Sequence, residues 1–171
     1  MIEIRKEQPG DAAAVRLVNE QAFGRPQEAD VVDTLRRACD GLLSLVAMDN
    51  ARVVGHILFS PATVEGPGPV VEGMGLAPIA VLPEYQRWGI GSMLVEEGLR
   101  ILRASSCPFI IVLGHPEYYP RFGFERASKY GLRSQWKGVP DEAFMILALD
   151  ETSLKGASGI ARYRDEFDAA M

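Results

Sequence analysis

Apolar and charged residues alternate at the start of the chain. Ile2, Glu3, Ile4 and Arg5 predict a strand within Met1–Glu7 that buries one face. The period then lengthens. Val15, Leu17, Val18 and Ala22 recur at helical spacing and predict a helix over Ala12–Phe23, capped by Asp11 and stopped by Gly24. A second helix reads from Gln27 to Ala38, with Val31, Val32, Leu35 and Ala38 on one stripe and Gly41 beyond its end. Two branched apolar runs, Leu42–Met48 and Arg52–Ser60, are joined by the turn dipeptide Asp49-Asn50 and predict a hairpin. Pro61–Pro69 is rich in Gly and Pro and reads as a loop. Val70–Leu82 is apolar but interrupted by Gly73, Gly75 and Pro78. Proline donates nothing to a ladder, so Pro78 predicts a bulge or an edge that opens.

The clearest helix runs from Ile90 to Ala104. Gly91, Leu94, Val95, Gly98, Leu99, Ile101 and Leu102 share one arc; Ser92, Glu96, Glu97, Arg100 and Arg103 share the other, and Met93 fits neither arc well. Phe109–Leu113 reads as a buried strand, Glu117–Phe122 as one or two helical turns, and Phe124–Arg126 and Ala143–Leu149 as further strands. Beyond Asp150 the chain turns polar, with one more strand at Gly159–Tyr163. The order β-α-α-β-β-β-α-β-α-β implies a mixed sheet with helices on its faces.

A chain of 171 residues with 47% hydrophobic side chains is expected to form one domain. Its two cysteines, Cys39 and Cys107, form no CxxC pair and no histidine stands near them, so no metal framework or disulfide scaffold is expected. The formal charge is −5, and no basic run exceeds two residues, so nucleic acid is disfavoured as a partner. The N-terminus shows no signal-peptide pattern and no apolar run is long enough to span a bilayer, which predicts a soluble, cytoplasmic protein that does not engage membranes.

Chemistry concentrates in Val81-Leu-Pro-Glu-Tyr-Gln86-Arg87-Trp88-Gly89-Ile90-Gly91-Ser92, between a strand and an amphipathic helix. Glycines let a turn aim its N–H groups inward, and a helix N-terminus adds partial positive charge, so the segment suits a pyrophosphate. The spacing G-x-G-x-x-G fails at Leu94, and G-K-[ST] is absent. What stands is Q-x-x-G-x-G after a strand.

This pattern resembles the signature of the GNAT superfamily of acyl-CoA N-acyltransferases, [RQ]-x-x-G-x-[GA], matched at Gln86, Gly89 and Gly91. The lead-in Ala80-Val81-Leu82-Pro83-Glu84-Tyr85 and the element Tyr119-Pro-Arg-Phe-Gly123-Phe124 are similar to family elements as well. The resemblance spans residues 1–149, taken as the acyltransferase domain, with 150–171 as a C-terminal extension on or beside it. It implies an α/β (α+β) fold: a mixed, mostly antiparallel central sheet of about seven strands, splayed in a V, with helices on both faces. It implies acetyl-CoA as co-substrate, with no metal. Backbone contacts to the cofactor fall on Ala80 and Val81, and pyrophosphate contacts on Gln86, Arg87, Trp88, Gly89, Ile90, Gly91 and Ser92. The family's usual Asn ahead of the tyrosine is missing from Val112-Leu-Gly-His115-Pro-Glu.

Direct acyl transfer needs a neutral amine, a polarised carbonyl and a proton for the departing sulfur. Tyr119 occupies the family's proton-donor position, with Tyr118 as the neighbouring alternative. Glu72, in an apolar run, and His115, directly after a strand, are the candidate bases: burial would raise Glu72, and imidazole titrates in the useful range. His56 reads as core. The backbone N–H near Val81 is the expected polariser. Trp136, Tyr130, Arg133 and Gln135 form a polar loop that either shapes a substrate pocket or only connects elements. The expectation is an N-acetyltransferase acting on a small-molecule or peptide amine. The alternative is a catalytically silent acyl-CoA-binding regulatory module. A homodimer is left open.

Overall fold

The computed structural model describes all 171 residues. Strands follow the order β1-β2-β3-β4-β5-β8-β6, with β9 paired to β3 and β7 to β9. The ranges are β1 Ile2–Lys6, β2 Leu43–Asp49, β3 Arg52–Glu65, β4 Val71–Val81, β5 Phe109–Leu113, β6 Glu125–Arg126, β7 Leu132–Ser134, β8 Phe144–Ala148 and β9 Gly159–Arg162. The helices are α1 Ala12–Phe23, α2 Gln27–Ala38, α3 Ile90–Ala104 and the short α4 Glu151–Leu154. No helix is long and apolar enough to cross a membrane. The chain divides into two compact units: Met1–Phe59, Ala77–Ile101 and Asp165–Met171 form one, and Ser60–Leu76 with Leu102–Arg164 form the other.

In the first unit β1 pairs antiparallel with β2, and β2 with β3, Leu45 facing Ile57 and Leu43 facing Phe59. Neighbouring residues of a strand point to opposite faces. At Gly55 a Cβ would stand 3.2 Å from Ile90 and from Leu94, so α3 packs on that face. At the next residue, His56 meets Asn19 of α1 on the other face. Helices therefore cover both faces of this half, as expected. Gly98, in the middle of α3, makes room for the Phe59 ring, which a Cβ there would approach to 2.3 Å.

Under α1 lies a buried polar chain. The Asn19 amide donates to the Val15 carbonyl and to Nδ1 of His56, both at 3.0 Å. Nε2–H of His56 then donates to the Ser44 hydroxyl at 2.9 Å, Ser44 donates to Glu7, and Arg36 donates to the same carboxylate. His56 is fully buried, and that burial, aided by the Arg36 charge, pulls its imidazole from 6.5 down to about 3. It is therefore neutral, and its 3.8 Å approach to Glu7 is not an ion pair.

In the second unit β4 runs parallel to β5, with Met74, Gly75 and Leu76 beside Ile110, Ile111 and Val112. β5 and β6 both pair antiparallel with β8, β9 pairs antiparallel with the end of β3, and β7 lies parallel to β9. Gly73 permits the Phe109 ring to lie 2.7 Å from where a Cβ would be.

Several expectations need correction. Asp11 does not cap α1; its carboxylate accepts from the Gln8 N–H at 2.7 Å and holds Arg5 in a bidentate pair, closing the turn before the helix. The expected loop at Pro61 is strand up to Glu65, because β9, nearly a hundred residues later, pairs with it. The sheet has nine strands rather than about seven. β7 was not expected; the strand expected past Asp150 is present as β9, and Ala170 accepts from Arg25 at 2.9 Å.

Candidate functional site

In the first unit the apolar end of β4 leads into a tight turn. Ala80 is buried and Val81 half-buried, and the carbonyl of Val81 accepts from the Gln86 side chain at 3.1 Å. Pro83 opens a single 3-10 turn, closed by the Tyr85 N–H on the Leu82 carbonyl at 2.8 Å. The backbone then alternates in hand. Gln86 is extended, with φ −69°, whereas Arg87 has φ 69° and Gly89 φ 79°. Alternation of this kind folds successive N–H groups around a concavity that suits an anion. A left-handed arginine costs about 1 kcal/mol or more, an expense found chiefly where function needs the shape.

Ile90 is buried and anchors the first turn of α3. The Met93 N–H bonds the Gly89 carbonyl at 3.1 Å, so the amides just ahead of Met93 lie outside the helical ladder. Gly91 and Ser92 are half-buried, and Arg87 is exposed. Trp88 is 64% exposed and leans on Tyr85, ring centroids 4.9 Å apart. Of the residues expected to hold the cofactor, Gln86 through Ser92 thus form one continuous strand-turn-helix corner, with Ala80 and Val81 on the strand that enters it.

In the second unit the ladder between β4 and β5 ends at Leu76 and Val112. Pro78 stands two residues beyond, in keeping with the expectation that pairing stops there. The turn after β5 carries Tyr119. The His115 carbonyl accepts the N–H groups of Tyr118 and Tyr119 at 3.1 and 3.4 Å. Gly114 lets the Tyr119 ring lie 2.4 Å from where its Cβ would be. Gly123, at φ 99°, closes the following turn onto the Pro120 carbonyl, and Phe124 meets Tyr119 edge-on at 5.7 Å. The glycine and phenylalanine of this element therefore aim and wedge the tyrosine. Tyr119 is 5% exposed, and burial, with Tyr118 beside it, pushes its phenol far above the usual range.

Of the two candidate bases, Glu72 departs from the burial expected of it, whereas His115 lies just after β5 as expected. Glu72 is exposed near the start of β4, so the burial that would have raised it is absent. His115 is exposed on the same turn as Tyr119.

Tyr163 was missed by the reading of the sequence. It is buried, and its hydroxyl lies 2.9 Å from the Leu76 carbonyl and 3.3 Å from that of Ile111, donating at the place where β4 and β5 cease to pair. Gly75 makes room for its ring, which a Cβ there would approach to 2.6 Å. Gln135 clamps its backbone through two hydrogen bonds, at 2.7 and 3.2 Å, and Trp136 stacks on it at 5.6 Å. The electrostatic influence of Tyr119 also reaches it. A tyrosine beyond the recognised motifs carried no signal except its place at the end of the short run Gly159-Ile160-Ala161-Arg162.

A model of the GNAT acetyltransferase domain matches residues 3–127. An uncharacterised N-acetyltransferase of Escherichia coli K12, YhbS, is 36% identical over 168 residues, covering 96% of this chain and 98% of that protein. The crystal structure of E. coli YhbS in complex with CoA superposes with a TM-score of 0.89 at 35% identity, covering 98% of this chain and 92% of that one. A GNAT family acetyltransferase of Brucella melitensis in complex with acetyl-CoA gives a TM-score of 0.79 at 37% identity, with 98% and 99% covered.

Proposed function

Because this chain belongs to the GNAT family of acetyltransferases, we propose that it moves an acetyl group from acetyl-CoA to a primary amine by direct attack, with no acyl-enzyme. The observation that carries the reading is the alternating backbone at Gln86, Arg87 and Gly89 ahead of α3. Its chemistry fits a pyrophosphate: a glycine-bearing turn, a helix N-terminus and one guanidinium. The amides of Arg87 through Ser92 would hold the phosphates, and the backbone of Ala80 and Val81 would pair with the amide-bearing arm. Bound there, acetyl-CoA supplies the activated thioester.

The chain's own groups then have distinct tasks. The backbone N–H near Val81 donates to the thioester carbonyl and favours its negative charge. Tyr119 donates its hydroxyl hydrogen toward the departing sulfur. Burial keeps this phenol protonated throughout the physiological range, so it is always ready to donate; the same burial makes it a weak acid. His115, exposed on the Tyr119 turn, takes the proton of the amine, directly or through water. Neither cysteine enters. Cys107 donates to the Phe109 carbonyl at 3.2 Å, and burial raises its thiol, the opposite of an activated nucleophile.

The test is calorimetric titration of CoA into the wild type and Gly91→Glu. The variant places a side chain and a negative charge in the first turn of α3. A tenfold or greater loss of affinity with an unchanged melting temperature is expected. Equal affinity would overturn the assignment of the corner.

A further inference from the structure

A cavity of about 460 Å³ opens in the second unit, bounded by the segment from Ser128 to Phe144 and by Ile160 of β9. Arg133, Trp136, Lys137 and Asp141 supply its chemistry. Asp141 is already engaged, 3.2 Å from Arg126. Arg133 and Lys137 make no ion pair within the chain, and both are exposed. The cavity is thus cationic on a chain whose formal charge is −5. It also has an aromatic wall. Trp136 stacks on Tyr163, and the Tyr163 hydroxyl bonds Leu76 and Ile111 where β4 and β5 part. One aromatic layer therefore links the cavity wall to the point at which the ladder opens.

We propose that this cavity is the acceptor pocket and that it selects amines bearing an anionic group, a carboxylate or a phosphate. The proposal rests on the acetyltransferase reading above and adds the substrate class to it. Arg133 and Lys137 bind the anion, and Trp136 packs against the body of the acceptor. Polycationic amines are disfavoured, because two uncompensated cations line the walls. In the reaction the N–C bond forms and the C–S bond breaks. One proton goes to the sulfur and one to solvent from the ammonium. The product keeps its anion and loses its cation.

Trp136 supplies the assay. In a Trp88→Phe background it is the single indole of a chain with two tryptophans. Its emission is followed while phenylalanine, phenylalaninamide, O-phosphoserine, serine and spermidine are titrated. Phenylalanine is expected to bind at least about tenfold more tightly than its amide, or O-phosphoserine than serine, since charge-assisted bonds are worth that much. The first preference identifies a carboxylate ligand and the second a phosphate; either supports the proposal. Arg133→Gln with Lys137→Gln should erase the preference while the melting temperature and CoA affinity stay put. Equal binding within both pairs, tighter binding of spermidine, or a preference that survives the double variant would overturn it. Calorimetry with CoA and product masses in the same samples separate the two readings. Loss of CoA binding with the anion preference intact defeats the acetyltransferase reading alone. Acetylation of spermidine without any anion preference defeats the pocket assignment alone.

Discussion

His56 gives the fold a defined acid weakness. Its Nδ1 accepts from Asn19 and its Nε2–H donates to Ser44, so both ring nitrogens are committed in the neutral form. Protonation would place a second hydrogen on Nδ1, against the Asn19 amide, in a fully buried site facing the Arg36 charge. The native imidazole is held at about 3, whereas the unfolded chain has the ordinary 6.5. Between these values the unfolded state binds a proton that the native state refuses, so stability rises with pH. The contribution is fully present above pH 6.5 and lost as the pH falls toward 3. The gap corresponds to roughly 5 kcal/mol in all, of which about 2 kcal/mol is gone by pH 5. Asp11 and Glu97 are held below their ordinary values of 3.8 and 4.5 by their bonds to Arg5 and Arg100, so their contribution is lost only as the pH falls through and below the ordinary carboxylate range. Urea unfolding at pH 7.5, 6.0 and 5.0 measures the slope, and the same series on His56→Gln removes the titrating group. The wild type should lose stability across the series and the variant, though weaker at pH 7.5, should not. A wild-type midpoint that is flat from pH 7.5 to 5.0 would refute the argument.

Tyr119→Phe should lower kcat about a hundredfold, at the low end for general acids because burial weakens this one, and leave CoA affinity unchanged by calorimetry. With its phenol raised so far, no fall in rate assignable to Tyr119 should appear as the pH rises to 10. Gly98→Ala should lower the melting temperature although alanine favours helices by about 1 kcal/mol, because its Cβ would meet the buried Phe59 ring at 2.3 Å and overpacking costs about 1–3 kcal/mol. Since Cys39 and Cys107 are free, a thiol reductant should leave the melting curve in place; a drop of several degrees would reveal a disulfide.

The parts legible in the sequence share one property: their determinants are local. α3 and β5 have the bounds that the apolar pattern implied, Ile90–Ala104 and Phe109–Leu113, because a wheel or a short buried run carries its own signal. The corner from Gln86 to Ser92 was visible because its glycine spacing sits inside seven residues. The Tyr119 element was visible for the same reason, and Gly123 and Phe124 explain physically why that tyrosine is held. Asp11 misled because a helix cap and an ion pair compete for one carboxylate, and Arg5 on the preceding strand decides between them.

What escaped depends on partners distant in the chain. The end of β3 read as loop because nothing near Pro61 announces β9, whose residues Arg162, Ala161 and Ile160 pair with Thr63, Val64 and Glu65. The same distance hides Tyr163. Its place is set by Gly75, by the carbonyls of Leu76 and Ile111, and by Gln135 and Trp136, three separate stretches that only the folded sheet assembles. Each of those residues has an ordinary local reading: a small residue in a strand, two apolar positions, a polar loop. Together they put one hydroxyl at the last rung of the β4–β5 ladder and one indole at the wall of a cationic cavity. On the proposed assignment of that cavity to the acceptor, the acceptor's character is set by sheet topology rather than by a motif, and a family signature centred on Gln86, Gly89 and Gly91 carries no information about it.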